Sequence, residues 1–140
     1  MDTNGLVSLL MNEPAAGDVA ALLEQGGVAV TPAHLAETVD VLERKRGALP
    51  ERLDESLQEM VDAGLAVVVL EARDGRTAGH VRARHYHLRT TELSLADCLL
   101  LAAAMNRDAG IATSDRVLAR VARSEGIGVV PLANSAGQLP

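Results

Sequence analysis

The chain has 140 residues, of which 48% are hydrophobic and 23% are charged, and these fractions exclude disorder along its whole length. Its net charge of −6 argues against broad, non-specific binding to nucleic acid, which requires clustered lysine and arginine. The single cysteine, Cys98, excludes an intrachain disulfide, and no apolar run reaches the roughly 18 residues of a membrane span. With no signal-peptide pattern at Met1, we expect a cytoplasmic protein that does not contact a membrane.

Residue patterns predict helices and strands that alternate along the chain. The predicted helices cover residues 6–11, 15–25, 32–46, 51–63, 76–88, 94–108 and 115–125. The predicted strands cover residues 28–30, 65–70, 110–113 and 127–131. The run 65–70 is continuously apolar, as expected of a strand covered on both faces. Alternation of this kind predicts an α/β sandwich with a mainly parallel sheet, formed by one domain over residues 1–133 with a frayed tail at 134–140.

Asp97 is the most informative acidic residue. It is the only charged residue in the apolar run 95–105, and a carboxylate among buried side chains is costly unless something compensates it. A structural alternative exists, because Ser94 as the N-cap would place Asp97 at the third helical position of a capping box. Either role is consistent with the residues alone.

Three other acids occupy positions that are ambiguous one by one. Asp115 follows the strand at 110–113 and is either a site residue or a plain N-cap. Asp2 precedes an apolar helix, and Glu37 lies at the edge of an apolar helix face, where it is either solvated or directed into a cleft. In a parallel α/β fold such acids can meet at one edge of the sheet. Clustered carboxylates repel each other unless they share a cation, and oxygen ligands select Mg²⁺ or Mn²⁺, which can activate water against a phosphodiester.

Four segments resemble, in order and spacing, the four acidic motifs of PIN domains: 2–7 (DTNGLV), 35–37 (LAE), 93–97 (LSLAD) and 112–115 (ATSD). The LSLAD segment in particular resembles VapC-type toxins. The resemblance implies a three-layer α/β sandwich with a central parallel sheet of four or five strands flanked by helices. It also implies an endoribonuclease that depends on Mg²⁺ or Mn²⁺.

The same resemblance assigns residues and partners. It makes four residues the catalytic, metal-binding acids: Asp2, Glu37, Asp97 and Asp115. It makes three others polar neighbours that orient these acids or bound water: Asn4, Thr113 and Ser114. It further implies the toxin of a type II toxin–antitoxin pair, a homodimer that a cognate antitoxin silences by packing its C-terminal segment over the active-site groove.

The chain departs from the family pattern at the first acid, Asp2. PIN domains have several apolar residues before this acid, and these form the central strand, whereas only Met1 precedes Asp2. We therefore expect either a true start upstream of Met1 or a truncated strand, and we favour the mis-set start.

The stretch from Arg73 to Arg89 is strongly basic, with five arginines, three histidines and one acid, Asp74. On the ribonuclease interpretation, RNA contacts in this stretch come from Arg82, Arg84, Tyr86 and Arg89, with the arginines holding the backbone and the tyrosine stacking on a base. A solvated helix face that balances an acidic protein is the alternative.

Another class of function also remains open. A PIN-fold binding or scaffold protein with little or no nuclease activity would share the same fold. Metal binding distinguishes the two, since an intact acid cluster should show Mn²⁺-dependent stabilisation that Asp97→Asn abolishes. A receiver domain fits poorly, because it needs a phosphoacceptor aspartate at the end of its middle strand and the run 65–70 leads into Glu71. A haloacid-dehalogenase-like phosphatase fits poorly as well, because Asn4 stands where that family needs a second aspartate.

Overall fold

Seven α-helices alternate with four short strands in the computed structural model, which describes all residues from 1 to 140. The helices are α1 Thr3–Leu10, α2 Ala16–Gln25, α3 Pro32–Asp40, α4 Pro50–Asp62, α5 Ala72–His85, α6 Leu95–Met105 and α7 Arg116–Ser124. The strands are β1 Ala29–Val30, β2 Ala66–Val67, β3 Ile111–Thr113 and β4 Val129–Pro131. All seven predicted helices are therefore present, in the predicted order.

Helices α1, α3, α5 and α6 differ from their predicted bounds by three residues or more. Helix α1 begins at Thr3, three residues before its predicted start, and α6 ends at Met105, three residues before its predicted end. The helix predicted over 32–46 ends in a π-helical turn, Val41–Lys45, that continues α3. Helix α5 begins at Ala72, four residues before the predicted start, because the side chain of Asp74 accepts a hydrogen bond of 2.8 Å from the backbone nitrogen of Glu71 and so closes the first turn. The helix ends at His85, since Tyr86 has an extended backbone.

The strands form two separate parallel pairs, β1 with β2 and β3 with β4. A single sheet of four or five strands is not seen. Main-chain hydrogen bonds of Met1 and Asp2 join the two pairs, because the nitrogen of Met1 donates to Ala29 at 2.7 Å and that of Asp2 donates to Ala112 at 3.3 Å. Residues of both pairs line an apolar groove of about 280 Å³. The two pairs therefore lie side by side but remain distinct.

The prediction of a buried strand over 65–70 is wrong. Only Ala66–Val67 is a strand, and the side chain of Val69 is 77% exposed. Strand β2 pairs with β1 alone, and the guanidinium of Arg107 binds the carbonyl oxygen of Val69 at 2.7 Å, which draws the following residues away from the pairing. A continuous apolar run in the sequence therefore does not by itself show that both faces of the strand are covered.

The hydrophobic core has two parts. One lies among α1, α2, α4 and the end of α3, and its largest fully buried residues include Leu6 and Leu42. The other surrounds α6 and includes residues of α5, β3 and α7, among them Leu101 and Leu118. Helix α6 is buried around most of its circumference, as predicted, which fixes the position of Asp97 in its first turn. None of the helices has the length and hydrophobicity needed to cross a bilayer.

Candidate active site

All four predicted acids line one polar cleft of about 360 Å³. It lies beyond the carboxyl ends of β1 and β3, where the chain enters α3 and α7. Eight other residues complete its wall: Thr3, Asn4, His34, Asp40, Val41, Arg44, Lys45 and Ser94. Ligands of parallel α/β folds bind at this end of the strands, because the loops that carry polar side chains meet there.

Asp2 lies at the bottom of the cleft and is only 3% exposed. Its side chain caps helix α1 by accepting a hydrogen bond of 2.9 Å from the backbone nitrogen of Gly5. The buried hydroxyl of Thr113 donates to its other carboxylate oxygen. Loss of hydration raises the pKa of Asp2, and the bonds from Thr113 and Gly5 only partly oppose this effect. The ionised form is therefore disfavoured, and a bound cation would reverse that preference.

Asp97 occupies the capping position that the sequence suggested, and it also lines the cleft. Its Oδ2 accepts hydrogen bonds from the backbone nitrogen and the hydroxyl of Ser94, at 2.9 and 2.7 Å. Its Oδ1 lies 3.6 Å from Nε2 of His34. Burial raises the pKa of Asp97, but the contacts with His34 and Ser94 outweigh burial and hold the pKa below its usual value. The capping and site interpretations are thus compatible in one side chain.

Glu37 and Asp115 are exposed, unlike the other two of the four predicted acids. The hydroxyl of Thr3 donates to Oε2 of Glu37 at 2.9 Å and so holds this carboxylate against the start of α1. Asp115 caps α7, since its Oδ1 accepts from the backbone nitrogens of Val117 and Leu118 at 2.6 and 2.8 Å. One oxygen of each carboxylate has no hydrogen-bond partner within the protein and remains available to a ligand.

The three predicted polar neighbours lie in different places. Thr113 is fully buried and connects two acids, because its hydroxyl oxygen also accepts the backbone N–H of Asp115 at 2.9 Å. Asn4 is exposed and lines the cleft. Ser114 does not line it but lies in an adjoining polar groove of about 310 Å³, which shares Asn4 with the cleft.

Sequence reasoning missed His34, which is 1% exposed and lines the cleft beside Asp97. It stands three residues before Glu37 on α3, so the two side chains share one face of the helix. The preceding Thr31 caps this helix by accepting the backbone N–H of His34. The Thr31–Pro32 pair, a capping residue followed by a proline in the first turn, was the available signal that His34 lies in the first turn.

The end of α3 places cations at the rim of the cleft. Arg44 is held by Asp40 through two bonds of 2.9 and 2.7 Å, and Arg46 is paired with Glu13 at 3.0 Å. Lys45 lies between them in sequence and has no acidic partner within 4.0 Å. It lines both the cleft and the adjoining polar groove. The π-helical turn therefore presents one free ammonium group where the two depressions meet.

The basic stretch lies elsewhere, since none of its residues lines the cleft. Arg84 binds Glu125 with bonds of 2.8 Å, and His85 contacts the same carboxylate at 2.5 Å. Arg82 donates to the carbonyl oxygen of Leu93, and its guanidinium lies 4.0 Å from the ring centre of Tyr86. Arg89 is exposed. Two of the three predicted arginines thus already have partners within the protein.

The donor set fits a hard divalent cation in its chemistry. Four carboxylates supply oxygen ligands, but no three acidic, histidine or cysteine side chains are close enough to hold one ion together. Mg²⁺ does not require such a cluster, because it keeps several waters and binds proteins through one or two carboxylates. The free oxygens of Glu37 and Asp115, with Oδ1 of Asp97, are the available ligands.

Comparison with known proteins gives one family. A family model described as PIN domain matches residues 1–124, a span that contains all four acids of the cleft. A search of curated protein sequences finds no match to the chain.

Proposed function

The chain belongs to the PIN-domain family, whose members are typically metal-dependent nucleases, and from this premise we propose that it is a Mg²⁺- or Mn²⁺-dependent endoribonuclease. The observation that carries the proposal is the convergence of Asp2, Glu37, Asp97 and Asp115 on one cleft, although they come from four separate parts of the sequence. The surroundings of the cleft are polar, as a phosphodiester substrate requires.

In this proposal one or two of the carboxylates of Glu37, Asp97 and Asp115 would hold the metal, with water in its other positions, and Asp2 would support the site from the bottom of the cleft. A cation in this position supplies Lewis acidity, which lowers the pKa of bound water and offsets charge on the phosphodiester. Asp97 is suited to direct ligation, because its low pKa keeps it ionised at neutral pH. Asp2 is suited to a supporting role, because both of its oxygens already accept hydrogen bonds from the protein.

The chain's own polar groups would orient these acids and the substrate. Thr113 fixes Asp2 relative to Asp115, and Thr3 fixes Glu37. Asn4, which lines both the cleft and the adjoining groove, and Ser114, which lines the groove alone, would bind water or a ribose hydroxyl. Rigid placement of this kind lowers the barrier because less reorganisation is needed during the reaction.

RNA would enter along the polar groove and across the cleft, with Lys45 binding a backbone phosphate. The ammonium group is exposed, without an acidic partner and at the junction of the two depressions. More distant contacts would come from the surface of Arg82, Arg84, Tyr86 and Arg89. Of these, Tyr86 and Arg89 are exposed and lack an acidic partner, so they are the better candidates for a stacked base and a phosphate.

We further propose that the protein is the toxin of a toxin–antitoxin pair and acts as a homodimer. Support comes from the LSLAD motif and from exposed apolar side chains that a second copy can cover, among them Val69, Leu88 and Leu95. A cognate antitoxin segment that covers an acid-lined cleft would have to present a cation to it, because uncompensated carboxylates are costly to bury.

The decisive experiment incubates the purified protein with total cellular RNA in Mg²⁺, in Mn²⁺ or in EDTA. Asp97→Asn is the matched variant, since its amide oxygen can still accept the Ser94 hydrogen bonds while the charge is lost. We expect discrete metal-dependent fragments from the unsubstituted protein and none from the variant. Single-stranded DNA of the same length tests the choice of nucleic acid. Absence of cleavage by folded, antitoxin-free protein would exclude the nuclease.

A binding or scaffold protein with this fold is the second candidate. The observation that favours it is the absence of any three potential ligands close enough to share an ion. A nuclease should be stabilised by millimolar Mn²⁺, with a melting temperature that rises with metal concentration. No shift in the unsubstituted protein, together with no cleavage, would favour the scaffold.

A further inference from the structure

His34 carries the one buried polar side-chain atom of the protein without a hydrogen-bond partner, its Nε2. This atom points to the cleft, 3.6 Å from Oδ1 of Asp97, a separation too long for a full hydrogen bond. An unpaired polar atom in the protein interior is destabilising, so its retention at the wall of a site indicates a role there. The acid nearest to Nε2 is Asp97, the residue whose substitution is used to test the proposed function.

The other side of the ring determines where the proton lies. Nδ1 is 2.9 Å from the hydroxyl oxygen of Thr31, and that oxygen already accepts the backbone N–H of His34 at 3.3 Å. The hydroxyl hydrogen is therefore free to be donated to Nδ1, which leaves the ring proton on Nε2. The opposite tautomer would direct a lone pair at the Asp97 carboxylate and is unfavourable. Nε2–H thus faces Asp97.

We propose that His34 is a positioning residue that orients the Asp97 carboxylate for metal binding through Nε2–H. Asp97 is held on one side by Ser94, through Oδ2, and the imidazole lies on the other side, at Oδ1. Between these contacts the carboxylate has little freedom to rotate. Because His34 is buried and Thr31 fixes its ring, the direction of the N–H is set by the fold before any ligand arrives.

This role rests on the proposed function, since it presupposes that Asp97 binds a metal. Hydrogen bonds to ligating side chains typically change metal affinity or activity by about 10- to 100-fold when they are removed. They act on binding of the ion, so the effect should be visible without any RNA. That property separates the role of His34 from a role in substrate recognition.

The experiment compares two polar substitutions of His34 with one apolar substitution. His34→Gln places an amide N–H near the position of Nε2, whereas His34→Asn places one near the position of Nδ1. His34→Leu removes both. The apparent Kd for Mn²⁺ is measured from melting temperatures over a metal titration, and melting in EDTA shows that each variant is folded. RNA cleavage is then measured at saturating Mn²⁺.

We expect His34→Gln to bind Mn²⁺ within a few-fold of the unsubstituted protein, and His34→Asn and His34→Leu to bind about 10-fold or more weakly. Equal Mn²⁺ affinity in all three variants would overturn the role of His34 and leave the nuclease intact. Metal binding without cleavage by the unsubstituted protein would exclude the nuclease and leave the role of His34 to be decided by the Kd values. Failure of the unsubstituted protein to bind Mn²⁺ would overturn both.

A second measurement covers variants that do not fold. Nitrogen NMR of the unsubstituted protein in EDTA reports which ring nitrogen of His34 carries the proton. We expect the proton on Nε2, and a change in the Nε2 chemical shift in Asp97→Asn. A proton on Nδ1 alone, with a bare Nε2, would overturn the proposal.

Discussion

The hydroxyl of Thr113 donates a buried hydrogen bond to the carboxylate of Asp2, across a separation of 111 residues in the sequence. The same oxygen accepts the backbone N–H of Asp115. One side chain at the end of β3 therefore fixes the acid that begins α1 and the residue that begins α7. The arrangement of the cleft depends on this side chain as much as on the acids themselves.

We expect Thr113→Val to destabilise the protein by about 1–3 kcal/mol, because the isosteric side chain leaves a buried carboxylate oxygen without its donor. Urea unfolding at pH 7 measures the change. Thr113→Ser is the matched control, since it keeps the hydroxyl and should lose less stability. If the valine and serine variants unfold at the same urea concentration, the hydroxyl does not hold Asp2.

Asp2→Asn should raise stability at neutral pH and reduce nuclease activity. Burial raises the pKa of Asp2, so the folded state binds its proton more tightly than the unfolded state, whose pKa is about 3.9. This acid therefore favours folding fully below about pH 3.9, and the contribution is lost as pH rises through the folded pKa. The amide has no charge to bury, and we therefore expect the variant to be more stable than the unsubstituted protein at pH 7.

Thermal unfolding of Asp2→Asn and of the unsubstituted protein between pH 4 and pH 8 tests this expectation. The difference in stability between them should grow as pH rises from 4 through the folded pKa of Asp2. A constant difference, or a variant that is less stable at pH 7, would show that Asp2 does not carry an unfavourable charge in the folded protein.

The sequence predicted which acids meet in the cleft better than it predicted the strands. Local spacing placed each acid at a helix start or a face boundary but left its role ambiguous, and the four were grouped by the resemblance to the PIN motifs. The pairing of the strands could not be predicted in the same way, because it depends on which strands lie next to each other in the folded chain and not on local sequence. The run 65–70 has the hydrophobicity of a central strand, yet it pairs on one side only and leaves Val69 exposed.

His34 escaped prediction for a related reason. A lone histidine on a helix is usually solvated or satisfied in a core, and its distance from Asp97 is a tertiary fact between α3 and α6. Likewise, the contacts of Arg84 and Arg82 with Glu125 and Leu93 depend on packing of α5 against neighbouring elements. The cluster of basic residues along the chain therefore predicted the lining of the cleft less well than the acids at element boundaries did.

Asp115 has a structural and a proposed chemical role that two substitutions can separate. Asp115→Asn retains a side-chain oxygen for the N-cap of α7 and should leave stability within a few tenths of a kcal/mol, while cleavage and Mn²⁺ affinity fall. Asp115→Ala removes the cap as well, at a further loss of about 1 kcal/mol. Thermal unfolding in EDTA and cleavage in Mn²⁺ measure the two roles. Full activity in the asparagine variant would restrict Asp115 to capping.

The ion pair between the buried carboxylate of Asp74 and the partly exposed guanidinium of Arg107 predicts sensitivity to acid. Arg107 and Asn106 bond to Asp74 at 2.8 to 3.2 Å, and the Arg107 bond in particular holds the pKa of Asp74 far below its usual value. Since the folded pKa lies below the unfolded value of about 3.9, this stabilisation is complete above that pH and is lost as pH falls through the folded pKa.

Arg107→Met keeps the unbranched stem of the side chain and removes its guanidinium group and charge. We expect a loss of about 1–3 kcal/mol at pH 7, because the buried carboxylate of Asp74 loses its cation and keeps only the bonds from Asn106 and the Glu71 backbone. The variant should also lose less of its remaining stability between pH 4 and pH 2 than the unsubstituted protein does. Equal acid dependence of the two proteins in urea unfolding would exclude this pair as the cause.

Lys45 and Arg89 allow the path of the substrate to be traced, because both are exposed but only Lys45 lines the cleft. Lys45→Ala should raise KM for RNA about 5-fold with kcat little changed, which corresponds to about 1 kcal/mol for an exposed ion pair. Because one phosphate contact is lost, the dependence of kcat/KM on salt should also become shallower by about one charge. Lys45→Arg keeps the charge and should restore KM.

The matching Arg89→Ala variant should raise KM only with RNA long enough to reach from the cleft to the surface around Tyr86. A short oligonucleotide that spans the cleft alone would then respond to Lys45 and ignore Arg89. If Lys45→Ala leaves KM and its salt dependence unchanged on both substrates, the phosphate does not bind at the π-helical turn. A large effect of Arg89→Ala on the short substrate would instead place the entry of RNA on the α5 side of the molecule.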